Sequence, residues 1–256
     1  MRRELEVAVA AAREAGALLA AGFGGARRVT YKRAADPVTE MDRRAERLLR
    51  ERLRAAFPDY GFLGEEGEGD RAAEVRWIVD PLDGTTNYAH GFPRFCTAIA
   101  LERAGEVLLG VIFDPLREEL FTARRGGGAF LDGRPVAVSD TAEPSRALLA
   151  SGFPYDAWTS ERDNTREWRA AVKTAEAVRA TGSSALDLAY VACGRLDGFW
   201  EYGLEPWDMA AGALLVVEAG GTVSAIDGGA FDPFRPSILA TNGRLQDAML
   251  SLLRPR

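Results

Sequence analysis

The sequence predicts an α/β chain in the broad sense, with helices on mixed and antiparallel sheets, and three observations carry that expectation. Trp77-Ile78-Val79-Asp80 is an apolar, β-forming run that stops at an aspartate, and Asp83 and Gly84-Thr85-Thr86 follow as a helix start. The middle of the chain strings β-rich runs between turn residues, the pattern of an antiparallel meander. The final part alternates helix-forming and strand-forming stretches. A single domain, 1–256, is expected, with an α+β half over about 1–145 and an α/β half over about 146–256.

A chain of 256 residues with 47% hydrophobic and 27% charged residues has ample apolar material for a packed core. Its net charge of −6 repels nucleic acid and anionic membrane surfaces, so neither is expected as a partner. An anionic substrate would need cations gathered locally. Cys96 and Cys193 stand far apart with no Cys-x-x-Cys spacing, and His90 is the single histidine, so neither a zinc site nor a disulfide framework is expected. Isolated reduced thiols fit the cytoplasm. The start, Met1-Arg2-Arg3-Glu4-Leu5-Glu6, places acids where a signal peptide needs an apolar region, and no run approaches the roughly 18 apolar residues of a membrane span. The expectation is a soluble, cytoplasmic protein.

Leu5, Val9, Ala12, Gly16 and Leu19 recur at helical spacing and predict a first helix from Glu4 to about Ala21. A short extended piece, Val29-Thr30-Tyr31-Lys32, leads to the turn signal Ala35-Asp36-Pro37. Thr39 then precedes a helical run through Ala45, Leu48, Leu49, Leu53 and Phe57 that Pro58 terminates. Thr39 with Asp42 has the form of a capping box in which Asp replaces Glu, so Asp42 reads either as a helix cap or as a residue near a functional site. Tyr60-Gly61-Phe62-Leu63-Gly64 is a brief apolar strand ending in Glu65-Glu66. It could lie beside the Trp77–Asp80 run, although both glutamates read equally as solvated loop acids.

Cys96–Ala104, Glu106–Phe113 and Leu120–Ala123 form the meander, followed by turns at Gly126-Gly127-Gly128-Ala129-Phe130 and Asp132-Gly133 that lead to Pro135-Val136-Ala137-Val138. Residues 141–161 shift to turn and breaker composition. Helices are expected over about Glu161–Ala175, from Ser184 through Cys193, from Trp207 to Glu218 and from about Arg244. Strands are expected at Ala177–Ala180, Gly198–Tyr202, Thr222–Ala225 and Ile238–Ala240.

Acids collect at element boundaries: Glu65, Asp80, Asp83 and Asp208, the last at the first turn of an otherwise apolar helix. Carboxylates repel phosphate and helix N-termini attract it, so a site holding both makes chemical sense around a divalent cation. Four carboxylates carry the charge that two Mg²⁺ ions neutralise, and such a site could receive a phosphate.

Gly64-Glu65-Glu66, then Trp77-Ile78-Val79-Asp80-Pro81-Leu82-Asp83-Gly84-Thr85-Thr86-Asn87, then Trp207-Asp208-x-Ala-x-Gly212 with Glu218-Ala219-Gly220-Gly221, resembles the inositol monophosphatase family of Mg²⁺-dependent, lithium-sensitive phosphatases. The resemblance extends to Asp36-x-Val38-Thr39-x-x-Asp42, Gly128-Ala129-Phe130 and Gly182-Ser183-Ser184-Ala185, and so covers nearly the whole chain. It implies a layered α-β-α-β-α sandwich of the inositol monophosphatase and fructose bisphosphatase type, and a homodimer. It also implies that Glu65, Asp80 and the carbonyl of Leu82 hold one Mg²⁺, that Asp80, Asp83 and Asp208 hold a second, and that a third, weaker ion shares Glu65. In that scheme water on the first metal, oriented by Thr85 and Glu65, attacks phosphorus, and Asp42 orients the Thr85 hydroxyl. The N–H groups of Gly84 and Thr85 would cradle the phosphate. Glu201 and Asp83 are implied to accept hydroxyls of the alcohol, the Ser184 region to supply backbone contacts, and Lys32 to approach the metal site. Glu201 also reads as an exposed charge at a strand end, and Ser183 and Ser184 as a helix cap.

The expected activity is Mg²⁺-dependent hydrolysis of a sugar or polyol phosphate such as myo-inositol 1-phosphate. Fructose 1,6-bisphosphate and the nucleotides PAP and NADP are rival substrates for the same metal core, and Glu201 disfavours them because a carboxylate repels a second phosphate. The rival of another class is a non-catalytic partner in a transcription complex, against which the complete ligand set argues. His90, Trp200 and Trp207 read as structural or pocket wall, and Asp197, Asp227 and Asp232 as turn residues.

Overall fold

The computed structural model describes residues 1–25, 29–33, 36–67, 69 and 73–254, with the side chains at 29, 31–33, 36 and 37 outside that description. Helix α1 spans Arg2–Gly22, an antiparallel pair β1 (Val29–Arg33) and β2 (Asp36–Thr39) follows, and α2 spans Glu40–Ala56. Thr39 caps α2 by accepting from the Met41 N–H, and Asp42 returns a bond to the Thr39 N–H at 2.8 Å, so the capping box read from the sequence is present.

Strands β3 (Gly61–Gly64) and β4 (Val75–Asp83) pair in parallel, and α3 (Thr85–His90) leaves the end of β4. The meander follows as β5 (Cys96–Arg103), β6 (Glu106–Asp114), β7 (Glu119–Arg124), β8 (Gly128–Leu131) and β9 (Arg134–Pro135). Together these make a seven-stranded sheet in chain order, antiparallel from β4 onward.

The remaining elements are β10 (Leu148–Ser151), α4 (Thr165–Val172), β11 (Ala177–Arg179), α5 (Ser184–Ala192), β12 (Gly198–Tyr202), α6 (Pro206–Glu218), β13 (Thr222–Ser224), β14 (Ser237–Thr241) and α7 (Gln246–Leu253). Their five strands order as β11-β10-β12-β14-β13, parallel across the first three and antiparallel beyond.

Alternating strand side chains give each sheet two faces, and both faces of both sheets are covered. Ile99, Leu101, Leu109 and Val111 pack on Ala8, Ala12, Leu49 and Leu53 of α1 and α2. Their neighbours Ala98, Ala100 and Ile112 face the other way, onto α5 and α6 through residues such as Leu188 and Leu215. Phe199, Ile238 and Ala240 of the second sheet close that middle layer from its far side. Trp200 and Leu239 point outward to Ala171, Met249 and Leu253 of α4 and α7. The order is helix, sheet, helix, sheet, helix, as the resemblance implied. Sandwiched α5 and α6 are apolar around most of their circumference because protein lies on both sides.

Three expectations change. Strand β10 lies inside the stretch of turn composition, α4 begins at Thr165 rather than near Glu161, and Gly128-Ala129-Phe130, expected within a turn, belongs to β8 because it pairs with β7. Only four residues long, β10 is held by parallel partners on both edges, a non-local support that its flanking Gly and Pro residues conceal. Among the described residues, no helix is long and apolar enough to cross a membrane. Both cysteines are free thiols.

Candidate active site

The end of β4 departs from regular geometry where it matters. Asp80 pairs with Ala98 and Asp83 with Cys96, so Pro81 and Leu82 on one strand oppose Thr97 alone on the other, which is a β-bulge. In a regular strand residues three apart face opposite sides, whereas here both aspartates line one cleft of about 720 Å³. The Leu82 side chain, between them, goes into the layer of α1 and α2. Parallel pairing stops at Gly64 opposite Val79, which brings Glu65 out beside Asp80. Glu65 and Asp208, from the first turn of α6, line the same cleft, as does Glu201 from β12.

Gly84 turns the chain from strand to helix at φ 95, a left-handed conformation that favours glycine, and a Cβ there would sit 2.9 Å from the Arg94 carbonyl oxygen. The turn starts α3 against the cleft, with its first amide N–H groups lacking intrahelical acceptors. The Thr85 hydroxyl lies 2.8 Å from Asp42 Oδ1 and 3.0 Å from the Leu82 carbonyl oxygen. Asp42 is fully buried, and its other oxygen accepts from the Thr39 N–H and hydroxyl. The two readings of Asp42 are therefore compatible: one oxygen caps α2 while the other reaches Thr85. Burial pushes its carboxyl up, and the bonds from Thr39 and Thr85 oppose that.

Asp83, Asp80 and Asp208 are each anchored through one carboxylate oxygen. Asp83 Oδ2 accepts from the Ser183 hydroxyl at 2.5 Å and the Ala185 N–H at 2.9 Å, with the Cys96 thiol at 3.6 Å. Asp80 Oδ1 accepts from the Leu82 N–H at 2.9 Å, and Asp208 Oδ2 from the Glu205 N–H at 2.7 Å. Among the described residues no protein donor reaches the second oxygen of Asp80 or of Asp208. Burial, then repulsion from Glu65, Asp83 and Asp208, pushes Asp80 well above the usual carboxylate range. Asp208 is pushed up by burial and by Glu65 and Asp83, and Glu201 by burial and by Asp187, Asp208 and Asp83.

That electrostatic strain tests whether a cation fits. Among the described residues lining the cleft there is no lysine, arginine or histidine, so none of those lining residues neutralises these acids. Hard oxygen donors clustered without a counter-charge suit Mg²⁺. Among the described residues no group of three or more acids, histidines or cysteines is arranged closely enough to hold a metal ion as it stands, in keeping with carboxylates that repel one another.

Glu201 is half-buried rather than exposed, with Ser184 Oγ 3.4 Å from its Oε2. Ser183 stands at the N-cap position of α5 without capping it, because its hydroxyl serves Asp83. The Lys32 side chain lies outside the described residues. His90 is exposed at the end of α3, Trp200 is core, and half-buried Trp207 forms cleft wall. Asp227 and Asp232 cap exposed turns, whereas Asp197 is buried and accepts from Ser139 and the Leu148 N–H.

Three residues near the site carried no functional reading in the sequence. Glu46 accepts from the Glu66 N–H at 2.6 Å and pairs with Arg50, tying the turn after β3 to α2. Asn87 Nδ2 donates to the carbonyls of Arg94 and Thr181, fastening α3 to the loop before α5. Asp187, buried, pairs with Arg94 at 2.7 Å and accepts from Thr181. Helical position makes Glu46 and Asp187 look like surface acids, and only the fold reveals their partners.

Comparison with known proteins agrees with this geometry. The sequence pattern of the inositol monophosphatase family matches residues 1–255. An inositol-1-monophosphatase of Rhizobium meliloti is 45% identical over 98% of this chain and 96% of its own length. The Nus factor SuhB of Pseudomonas aeruginosa is 44% identical over 100% and 97%. The solved inositol monophosphatase from Anabaena superposes with a TM-score of 0.88 at 42% identity, covering 97% of this chain and 94% of that one. This chain belongs to the inositol monophosphatase family, a family of phosphatases.

Proposed function

We propose that the protein hydrolyses a small polyol phosphate monoester, myo-inositol 1-phosphate first among them, with Mg²⁺ as its cofactor. The observation that carries this reading is the gathering of Glu65, Asp80, Asp83 and Asp208 around one cleft whose described lining holds no basic residue. Those four acids and the Leu82 carbonyl would hold two or three ions. When bound, Mg²⁺ supplies charge neutralisation for the phosphate and the leaving alkoxide and makes water acidic enough to serve as nucleophile.

The protein's own groups do the positioning. Asp42, ionised and accepting from Thr39, takes the Thr85 hydroxyl hydrogen, which leaves Thr85 Oγ1 as an acceptor for the attacking water. Glu65, across the cleft, orients the same water and receives its proton, while the departing alkoxide would take a proton from a second water. The N–H groups of Gly84 and Thr85 receive the phosphate oxygens. Glu201 and Asp83 accept hydroxyls of the alcohol, and Ser184 borders them. A second phosphate near Glu201 would meet repulsion, which favours a neutral polyol over fructose 1,6-bisphosphate or a nucleotide.

A panel of phosphate monoesters assayed with and without Mg²⁺ tests this, with inositol 1-phosphate expected as the best substrate and no turnover after chelation. Markedly faster hydrolysis of fructose 1,6-bisphosphate would overturn the substrate. Light scattering on the same preparation should give a homodimer, and a monomer mass would refute that. The relative named Nus factor SuhB supports a second role, as partner in a transcription complex. Phosphate release by no member of the panel would make that role the main one. The absence of a membrane-crossing helix among the described residues supports a cytoplasmic location.

A further inference from the structure

Asn164 is a buried residue that the proposed chemistry does not use. It is 1% exposed and holds φ 66, a left-handed conformation uncommon for a residue with a side chain. It stands at the N-cap of α4 yet makes no side-chain cap bond. Its amide is committed elsewhere: Nδ2 donates to Ser151 Oγ at 2.7 Å and to the Gly152 carbonyl at 2.6 Å, and Oδ1 accepts from Trp200 Nε1 at 2.7 Å. Ser151 Oγ in turn donates to the Trp200 carbonyl at 2.6 Å. One side chain thus locks the end of β10 to the middle of β12, where the two strands pair Ser151 with Trp200.

The next residue on each strand forms the cleft wall. Glu201 follows Trp200, and its carboxylate lies against Gly152 so closely that a Cβ on Gly152 would meet Oε1 at 2.2 Å. Ser184 Oγ, 3.4 Å from Oε2, borders the other oxygen. The Glu201 carboxylate sits between the Gly152 backbone and Ser184, and the Gly152 carbonyl is what Asn164 holds. A shift of Gly152 would move the surface on which Glu201 rests.

We propose that Asn164 is a positioning residue for substrate discrimination: it fixes Gly152 and Trp200 so that the Glu201 carboxylate is held where a hydroxyl of the alcohol must land. This rests on the reading of Glu201 as the alcohol acceptor. It places Asn164 outside the groups that handle phosphate and water, so its loss affects recognition of the polyol while the chemical step is retained.

The test compares Asn164→Gly, in which glycine keeps the left-handed backbone without strain, with Glu201→Gln and with the double variant. Ser151→Ala serves as a milder break of the same network should Asn164→Gly fold poorly. KM and kcat are measured for inositol 1-phosphate and for phenyl phosphate, whose alcohol offers no ring hydroxyls. The expected result is a KM for inositol 1-phosphate raised by about tenfold in Asn164→Gly, with kcat and the phenyl phosphate KM held within about twofold. Ser151→Ala should show the same pattern at about threefold. Adding Asn164→Gly to Glu201→Gln should change nothing further, because both act through one carboxylate. Equal losses on both substrates, a fall in kcat, or additive effects in the double variant would overturn the positioning role. An unchanged inositol phosphate KM in Glu201→Gln would instead overturn the reading of Glu201, and the proposal with it.

Discussion

At Asp83 the fold leaves little freedom. Two hydrogen bonds, from Ser183 and the Ala185 N–H, fall on Oδ2 and fix the carboxylate plane, while the bulge turns the residue into the same cleft as Asp80. Asp83→Asn keeps the volume and removes the charge. Its amide oxygen can still accept from Ser183 and the Ala185 N–H, which leaves the NH2 group, a donor, where the ligand oxygen stood, so the ligand is lost while its support is kept. We expect kcat to fall by at least about 10²-fold, with much weaker Mg²⁺ dependence, as when a main source of charge stabilisation is removed. Near-normal turnover in Mg²⁺ would refute the role given to Asp83.

At the scale of elements, α3 is aimed by the left-handed turn at Gly84 and fastened by Thr85 and Asn87. Gly84→Ala would place a Cβ within 3.1 Å of both the Arg94 and Gly182 carbonyl oxygens at φ 95. It should destabilise the fold by roughly 1–3 kcal/mol and lower activity, measured by urea unfolding and by kinetics, whereas wild-type stability would show that the turn tolerates a side chain. The elements legible in the sequence were those with strong local signals: the stripe of α1, the Thr39 and Pro58 boundaries of α2, and the apolar run of β4. The site acids were legible because each stands at an element boundary or, as with Asp208, in a first turn. The bulge was hidden, since a spacing of three contradicts the two-residue period of a strand. Strand β10 was hidden because its stability is non-local. Ser183 was read as a possible cap because local pattern cannot show that Asp83, a hundred positions earlier, lies closer to its hydroxyl. Asn164 left no trace, since no periodic or capping rule marks a left-handed asparagine.

At the scale of the whole molecule, the acid cluster couples stability to pH and to metal. Asp80, Asp83, Asp208 and Glu201 are all pushed upward, chiefly by burial, and Asp187, despite Arg94, is pushed from 3.8 to about 6. A carboxyl with a raised folded-state pKa binds more protons folded than unfolded, so its contribution favours the folded state at low pH and is lost as pH rises. For Asp187 that loss falls between 3.8 and about 6. Metal-stripped protein should therefore melt lower at neutral pH than at mildly acidic pH. Mg²⁺ should raise the melting temperature more at neutral pH, where protons compete less for the ligands. A Mg²⁺ shift that is absent, or larger in acid, would contradict a carboxylate site.

The proposal that these acids form one cation site is tested most directly by diffraction from crystals soaked in Mn²⁺ and phosphate, Mn²⁺ standing in for Mg²⁺ with a readable anomalous signal. The expected result is two or three anomalous peaks among Glu65, Asp80, Asp83 and Asp208, with phosphate against the N–H groups of Gly84 and Thr85. Peaks confined to other surfaces, with the cleft between β4 and α6 holding no ion, would contradict it.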